Sequence, residues 1–173
     1  MISVFQPFVR TEEVLDELRD VFNSGWIGMG PKVEEFEEKI CMQVGSDYFV
    51  ATNSCTAALH LSLKVLNLPQ KSIVLTSPVT CPAPNSIIVN EGHAPLFYDI
   101  DRTGNINLDW LEDNIRVYHK AIIVCHYGGY SCDMIRLEKI CKEYDVEIIV
   151  INTKNPSAKI SFFILNFLNI SFF

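Results

Sequence analysis

Three small polar residues, Ser54, Cys55 and Thr56, stand where an apolar segment gives way to a helical pattern. The segment 48–51 predicts a short strand, and the run 57–63 is rich in residues that favour helix. The first turn of a helix leaves backbone N–H groups free, and the helix dipole attracts an anion to that end. The pattern fits a phosphate-binding cradle or an ordinary capped helix, and local chemistry alone favours the capped helix.

The chain also contains six cysteines: Cys41, Cys55, Cys81, Cys125, Cys132 and Cys141. No two of them form a C-x-x-C pair, which argues against a zinc site. The start of the chain lacks a secretory pattern, which argues against a disulfide framework. We therefore expect most of these cysteines to be small, buried apolar residues.

Among the four histidines, only His126 directly follows a predicted strand. His60 falls inside a predicted helix, whereas His93 and His119 fall in turns that we expect to be solvated. A nucleophile–base pair would need His126 beside Cys81 or Cys55, and the sequence does not establish that proximity. Two carboxylates, Asp99 and Asp101, follow another strand and are expected to cap a turn rather than to bind a metal ion.

Length and charge limit the classes of function. A chain of 173 residues fits one domain, and half of its residues are apolar, which is enough for a core. The net charge of −7 argues against nucleic-acid binding, which needs a basic face. No basic amphipathic helix suggests membrane binding, and without a signal peptide a cytoplasmic protein is expected.

Strand and helix patterns alternate along the chain. The predicted strands are 72–76, 95–100, 121–125 and 146–151, the last of the series, and helices are predicted to begin at the cap Thr11, at Pro31 and at 108 and 133. This order predicts an α/β fold with a mostly parallel sheet covered by helices. Ligands at such sheets lie beyond the carboxyl ends of the strands. We call the edge formed by the carboxyl ends of the strands the rim. The predicted order places residues 53–56, 80–81, 126–127 and Asn152 on this rim.

Several segments resemble a known family in order and spacing. They are 24–32 (SGWIGMGPK), 52–61 (TNSCTAALHL), 77–81 (SPVTC), 97–101 (FYDID) and 126–133 (HYGGYSCD). The chain resembles the DegT/DnrJ/EryC1/StrS sugar aminotransferases, which use pyridoxal 5'-phosphate (PLP). The resemblance implies the aspartate-aminotransferase fold (PLP fold type I). It predicts a truncated large domain at 1–152, followed by a divergent tail at 153–173.

The resemblance assigns cofactor roles to five rim residues. It implies that Ser54, Cys55 and Thr56 hold the PLP phosphate, although a glycine is commoner at the position of Cys55. Cys81 matches a position where many members stack an aromatic ring on the pyridine. Asn152 matches the aspartate that pairs with the pyridine nitrogen, and an amide carries no charge to keep that nitrogen protonated.

The tail departs from the family pattern after 151. The family's Schiff-base lysine comes from a later segment and is not found in this sequence. Residues 160–173 are uncharged and phenylalanine-rich, which favours the hypothesis of a frameshift or early stop. Lys154 and Lys159 directly follow the predicted strand 146–151, so we do not expect either to replace that lysine.

The resemblance implies transfer of an amino group from an amino acid to a keto-sugar nucleotide, by a homodimer. With no catalytic lysine identified, little activity is expected from this polypeptide. Two alternatives stay open, namely a non-catalytic module that pairs with a full-length homologue and an unstable gene remnant. The sequence does not specify the sugar, the aminated carbon or the amino donor.

Overall fold

The computed structural model describes residues 9–152 and 163–165. The chain divides into two compact units, with a boundary between Ala51 and Thr52. The first contains helices α1 (Thr11–Ser24) and α2 (Pro31–Val44). The second contains, in order, α3 (Cys55–Leu66), β1 (Ile73–Thr76), α4 (Pro82–Asn90), β2 (Ala94–Phe97), α5 (Leu108–Asn114), β3 (His119–Cys125), α6 (Met134–Tyr144), β4 (Glu147–Asn152) and β5 (Phe163–Leu165).

The two helices of the first unit end as the sequence predicts. Gly25 and Gly45 follow them with φ of 71° and 66°, the left-handed conformation that glycine adopts without a Cβ penalty. Pro31 opens α2 because the first helical position needs no N–H. The predicted cap at Thr11 is wrong by one residue, since Arg10 is the N-cap, and its side chain accepts no capping hydrogen bond.

The strand predicted at 48–51 is absent from the described part of the chain. The N–H of Ala51 instead donates to the Glu37 carboxylate at 2.7 Å. Phe49 packs edge-on against Phe36, with ring centroids 5.9 Å apart. The segment 48–51 is therefore a loop, because the side chain of Glu37, rather than a neighbouring strand, accepts the backbone N–H of Ala51.

The second unit is built on a parallel sheet with strand order β2-β1-β3-β4-β5. The predicted α/β fold with a parallel sheet is confirmed. The prediction that 146–151 is the last strand is wrong, because β5 pairs with β4 from Val150↔Phe163 to Asn152↔Leu165. The connections through α4, α5 and α6 bring the carboxyl ends of β1, β3 and β4 to one rim.

Side chains of β3 alternate between two buried clusters. Ile122 and Val124 pack on the α5 and α6 face, and Ala121 and Ile123 pack on the α3 and α4 face. All four are at most 2% exposed. A strand buried on both faces has a fixed register, because a slip of one residue would exchange the two faces. This core therefore fixes the positions of the residues that follow each strand.

Candidate functional site

The N-terminus of α3 has the geometry of an anion site. Ser54 is the N-cap in an extended conformation, and its hydroxyl accepts the N–H of Ala57 at 3.1 Å. Among the described residues, no acceptor pairs with the N–H groups of Cys55 and Thr56. The first turn of α3 carries no acidic residue. Two free donors and the positive end of the helix dipole therefore coincide here.

Three thiols lie close together on this side of the rim. Cys55 opens α3, Cys81 is the N-cap of α4 and Cys125 ends β3. Burial raises the pKa of Cys55 to about 11, and negative charge on the other two thiols would raise it further. Burial also raises the pKa of Cys125, and a hydrogen bond with Thr80 partly opposes this shift. At neutral pH, Cys55 is therefore an uncharged thiol that does not repel an anion.

The remaining residues predicted to bind the cofactor have different environments. Cys81 is exposed, and its side chain makes no capping hydrogen bond. Asn152 is the last residue of β4, at the carboxyl end of the sheet, and its side chain lies outside the described part of the structure. The backbone thus places all five predicted cofactor residues on the same rim. Whether they bind the cofactor stays a prediction.

His126 is 1% exposed at the end of β3. Its Nδ1 accepts the N–H of Cys132 at 3.4 Å, so the ring proton lies on Nε2. Nε2 is buried without a hydrogen-bond partner among the described residues. Burial lowers the pKa of His126, which keeps the imidazole neutral. Because Nδ1 accepts a backbone N–H and Nε2 has no partner among the described residues, neither imidazole nitrogen bonds to the thiol of Cys55 or Cys81.

The expectation that His119 is solvated is wrong. His119 is the first residue of β3, pairs with Ile73 and is 1% exposed. Its Nδ1 accepts the N–H of Arg116 at 3.1 Å. His93 is half-buried rather than solvated, with its Nδ1 buried and without a partner in the described part of the chain. His60 is exposed on α3 and pairs with Glu91, as its predicted position in a helix allows.

Of the two carboxylates after β2, Asp101 caps a turn, as predicted, whereas the Asp99 carboxylate accepts a hydrogen bond from the Asn107 side chain at 3.4 Å. Asp101 Oδ1 accepts the Thr103 N–H at 2.7 Å, the Thr103 hydroxyl at 2.6 Å and the Asn105 N–H at 3.2 Å. The Thr103 hydroxyl in particular lowers the pKa of Asp101. The described residues contain no cluster that could hold a metal ion.

A cavity of about 370 Å³ lies beside this turn, on the α5 and α6 side of the unit. Its lining includes Asp101, Asn105, Tyr130 and Arg136. The guanidinium of Arg136 is held by Asp109 at 2.7 Å and by Glu112 at 2.7 Å. None of Ser54, Cys55, Thr56 or Cys81 lines this cavity. It is therefore separate from the anion site at α3.

No described lysine follows the carboxyl end of a strand. The described lysines are Lys32, Lys39, Lys64, Lys71, Lys120, Lys139 and Lys142. Lys71 precedes β1, and Lys120 is the second residue of β3, so both lie at the amino ends of the strands, away from the rim. Lys154 and Lys159 lie outside the described residues. Among the lysines that the structure describes in the second unit, none directly follows a strand at the rim.

Comparison with known proteins identifies the family of the chain. The model of the DegT/DnrJ/EryC1/StrS aminotransferase family matches residues 9–150. The chain belongs to this family. No described helix of this family member is long and apolar enough to cross a membrane.

Three relatives illustrate the relationship. The chain is 39% identical over 153 residues to the dTDP-4-dehydro-2,3,6-trideoxy-D-glucose 4-aminotransferase of Saccharopolyspora spinosa, covering 86% of this chain and 39% of the relative. It is 37% identical over 144 residues to the spore coat polysaccharide biosynthesis protein SpsC of Bacillus subtilis, covering 83% of this chain and 37% of the relative. The solved structure of ntda of Bacillus subtilis with bound cofactor PMP matches with a TM-score of 0.78 at 26% identity, covering 87% of this chain and 37% of that chain.

The matches confirm the predicted fold, that of the fold type I aminotransferases. This member of the DegT/DnrJ/EryC1/StrS family spans less than half the length of the relatives that it matches. The region common to them includes α3, the sheet up to β4 and the turn after β3.

The sequence did not indicate the places of Cys125 and Asn105, which the structure puts near the rim and beside the turn after β3. Cys125 is the last residue of a correctly predicted strand, so the carboxyl-end rule could have added it to the rim. Asn105 is 4% exposed and bonds to residues 22 and 25 positions further along the chain. No local sequence pattern reports contacts at that separation.

Proposed function

We propose that this chain binds PLP with its phosphate at the N-terminus of α3. The observation that carries the proposal is the pair of free N–H groups at Cys55 and Thr56, in a first turn without acidic residues. The phosphate is an anion, and a helix N-terminus of this kind stabilises one. The PMP bound in the ntda structure supports the choice of cofactor, because PMP is the amine form of PLP.

The residues of the rim have distinct roles in this proposal. Ser54 caps the helix, and the amides of Cys55 and Thr56 donate to the phosphate. The Cys55 thiol is uncharged and so does not repel the phosphate. Cys81 would give a small contact beside the pyridine ring, and Asn152 would be the uncharged residue that takes the place of the family's aspartate at the ring nitrogen. Bound PLP supplies an electron sink for the exchange of an amino group. A neutral partner at the ring nitrogen supports that sink less well than a carboxylate does.

We further infer that the family reaction is transfer of an amino group from an amino acid to a keto-sugar nucleotide. The aminotransferase of Saccharopolyspora spinosa supports this class of substrate, since its name specifies a keto-sugar nucleotide. The 173-residue polypeptide, tested alone, is expected to have little transaminase activity. The reason is the placement of its described lysines, none of which follows a strand at the rim.

One observation favours a second role, in which the chain pairs with a full-length homologue or with itself. No residue of α1 is buried, and its apolar stripe of Val14, Leu15, Leu18 and Phe22 is 42–62% exposed. Apolar surface of this kind is typical of a protein interface, or of a fold prone to aggregation when alone. Co-purification with a full-length homologue would favour the module over the unstable remnant.

Equilibrium dialysis with PLP and with pyridoxal, which lacks the phosphate, tests the primary proposal. We expect PLP to bind and pyridoxal to bind at least about tenfold more weakly, because the α3 site recognises the phosphate. Equal binding of the two would refute phosphate recognition. A transaminase assay and mass spectrometry after borohydride treatment test the activity: turnover, with the cofactor covalently attached to one lysine, would contradict the expectation of low activity.

A further inference from the structure

The turn that follows β3 depends on outside contacts for its conformation. It is a single helical turn, Tyr127–Gly129, in which Gly128 and Gly129 have φ of 60° and 83°. Two glycines in the left-handed region give a segment with many accessible conformations in isolation. Its own bonds join Gly129 N–H to His126 C=O and Tyr130 N–H to Tyr127 C=O, both at 3.1 Å.

Asn105, in the loop between β2 and α5, bonds to both ends of this turn. Its Oδ1 accepts the N–H of Tyr127 at 2.9 Å, and its Nδ2 donates to the C=O of Tyr130 at 3.1 Å. The side chain is buried, so water does not readily replace either bond. We call these two hydrogen bonds the Asn105 bridge.

The loop that carries Asn105 is itself fixed. Asp101 accepts the N–H of Asn105, and Asp101 N–H donates to Asn105 C=O at 2.8 Å. The ring of Tyr127 lies against Gly104, where an added Cβ would be 2.7 Å from Cδ1 of the ring. Gly104 also has φ of 85°, so this close approach requires glycine on two grounds. The loop and the turn therefore pack as one unit.

The bridge also bears on His126, which directly precedes the turn. The N–H of His126 donates to Ile151 C=O at 3.0 Å, which links the end of β3 to the end of β4. The Cys132 N–H, on the far side of the turn, donates to His126 Nδ1. The path of the chain through the turn therefore determines which imidazole nitrogen is the acceptor.

We propose that Asn105 is a positioning residue of the cofactor rim: its bridge holds the His126–Tyr130 segment, and through it the imidazole of His126, in one arrangement. This inference rests on the proposed binding of PLP at the same rim. Asn105 lies outside the anion site at α3 and acts on the cofactor only through this segment.

The test compares Asn105→Ala and Asn105→Asp with Asn107→Ala. Aspartate keeps the acceptor for Tyr127 and loses the donor to Tyr130. Asn107 is a matched control, because it caps α5 by accepting the N–H groups of Asp109 and Trp110, and none of its hydrogen bonds to described residues goes to the turn. Ring ¹⁵N NMR of His126 reports the tautomer, and equilibrium dialysis reports PLP affinity.

In the native chain, the ring shifts should show the proton on Nε2. In Asn105→Ala, we expect shifts of a tautomer mixture and about tenfold weaker PLP binding. Asn105→Asp should change both measurements in the same direction, because its second carboxylate oxygen repels the C=O of Tyr130; it is the second variant if the alanine variant does not fold. Asn107→Ala should lower stability but keep the ring shifts and bind PLP within about twofold of the native chain. Native ring shifts in the folded Asn105 variants, or equal changes in Asn107→Ala, would overturn the inference. Failure of the native chain to bind PLP would refute the proposed function, and the ring shifts alone would then decide the positioning role.

Discussion

Replacement of Thr56 by aspartate separates helix stability from cofactor binding. Thr56 is exposed, is the second residue of α3 and donates no backbone hydrogen bond to a described residue. A carboxylate at this position should interact favourably with the helix dipole, since the first turn has no acidic residue. The same carboxylate would repel a phosphate bound to the amides of Cys55 and Thr56.

The two effects have opposite signs and different sizes. A carboxylate in the first turn of an exposed helix stabilises the protein by about 0.3–1 kcal/mol. Repulsion between two unit charges at about 5 Å, with an effective dielectric constant of about 20, costs about 3 kcal/mol. That energy corresponds to roughly a 100-fold loss of affinity. Salt screens exposed charges over about 8 Å, so the loss should be largest at low ionic strength.

Equilibrium dialysis with PLP and urea denaturation measure these two effects on Thr56→Asp. Thr56→Asn is the control, because asparagine has the shape of aspartate without the charge. We expect Thr56→Asp to be at least as stable as the native chain but to bind PLP far more weakly, while Thr56→Asn binds PLP almost normally. Native PLP affinity in a folded Thr56→Asp variant would refute the placement of the phosphate at α3.

Three further predictions concern stability and reactivity. Ser54→Ala removes the cap of α3 and should lower the free energy of unfolding by about 1 kcal/mol in urea denaturation, with Ser54→Thr close to native. A thiol-reactive disulfide reagent at pH 8 should modify the exposed Cys81 first. The half-buried Cys55, with its pKa raised to about 11, should react slowly until the protein unfolds, and equal rates would contradict this order. Burial lowers the pKa of His119 and His126 below the 6.5 of an unfolded chain, so the unfolded state takes up protons first as the pH falls. The contribution of these two histidines to the free energy of unfolding is therefore complete above about pH 6.5. It decreases below that pH, by about 1.4 kcal/mol for each unit by which the folded and unfolded pKa values differ. Urea denaturation at pH 7.5 and 5 measures this loss, which His119→Gln should reduce.

The sequence predicted the features that short-range rules govern. Gly25 and Gly45 end their helices because only a left-handed residue closes the last turn there. The alternation of strands and helices was enough to predict the parallel sheet, since crossover connections allow few other arrangements. The small polar residues before the apolar run predicted a helix that starts near Ser54 or Thr56, and α3 starts between them at Cys55.

The errors arose where distant contacts decide the structure. The loop 48–51 has the composition of a strand, but Ala51 bonds to the carboxylate of Glu37, 14 residues earlier. His119 resembles a solvated turn residue in the sequence, yet pairing with Ile73 places it at the buried start of β3. The Asn105 bridge depends in the same way on a turn more than 20 residues away. A pattern in one stretch of sequence contains no information on such partners.

The most direct test of the central claim is a titration of the ¹⁵N-labelled chain with PLP, followed by the amide resonances of α3. If the N-terminus of α3 holds the phosphate, the N–H resonances of Cys55 and Thr56 should shift most among those of the helix. Pyridoxal without the phosphate should leave them unchanged. Unshifted Cys55 and Thr56 amides at saturating PLP, or equal shifts with pyridoxal, would contradict the account.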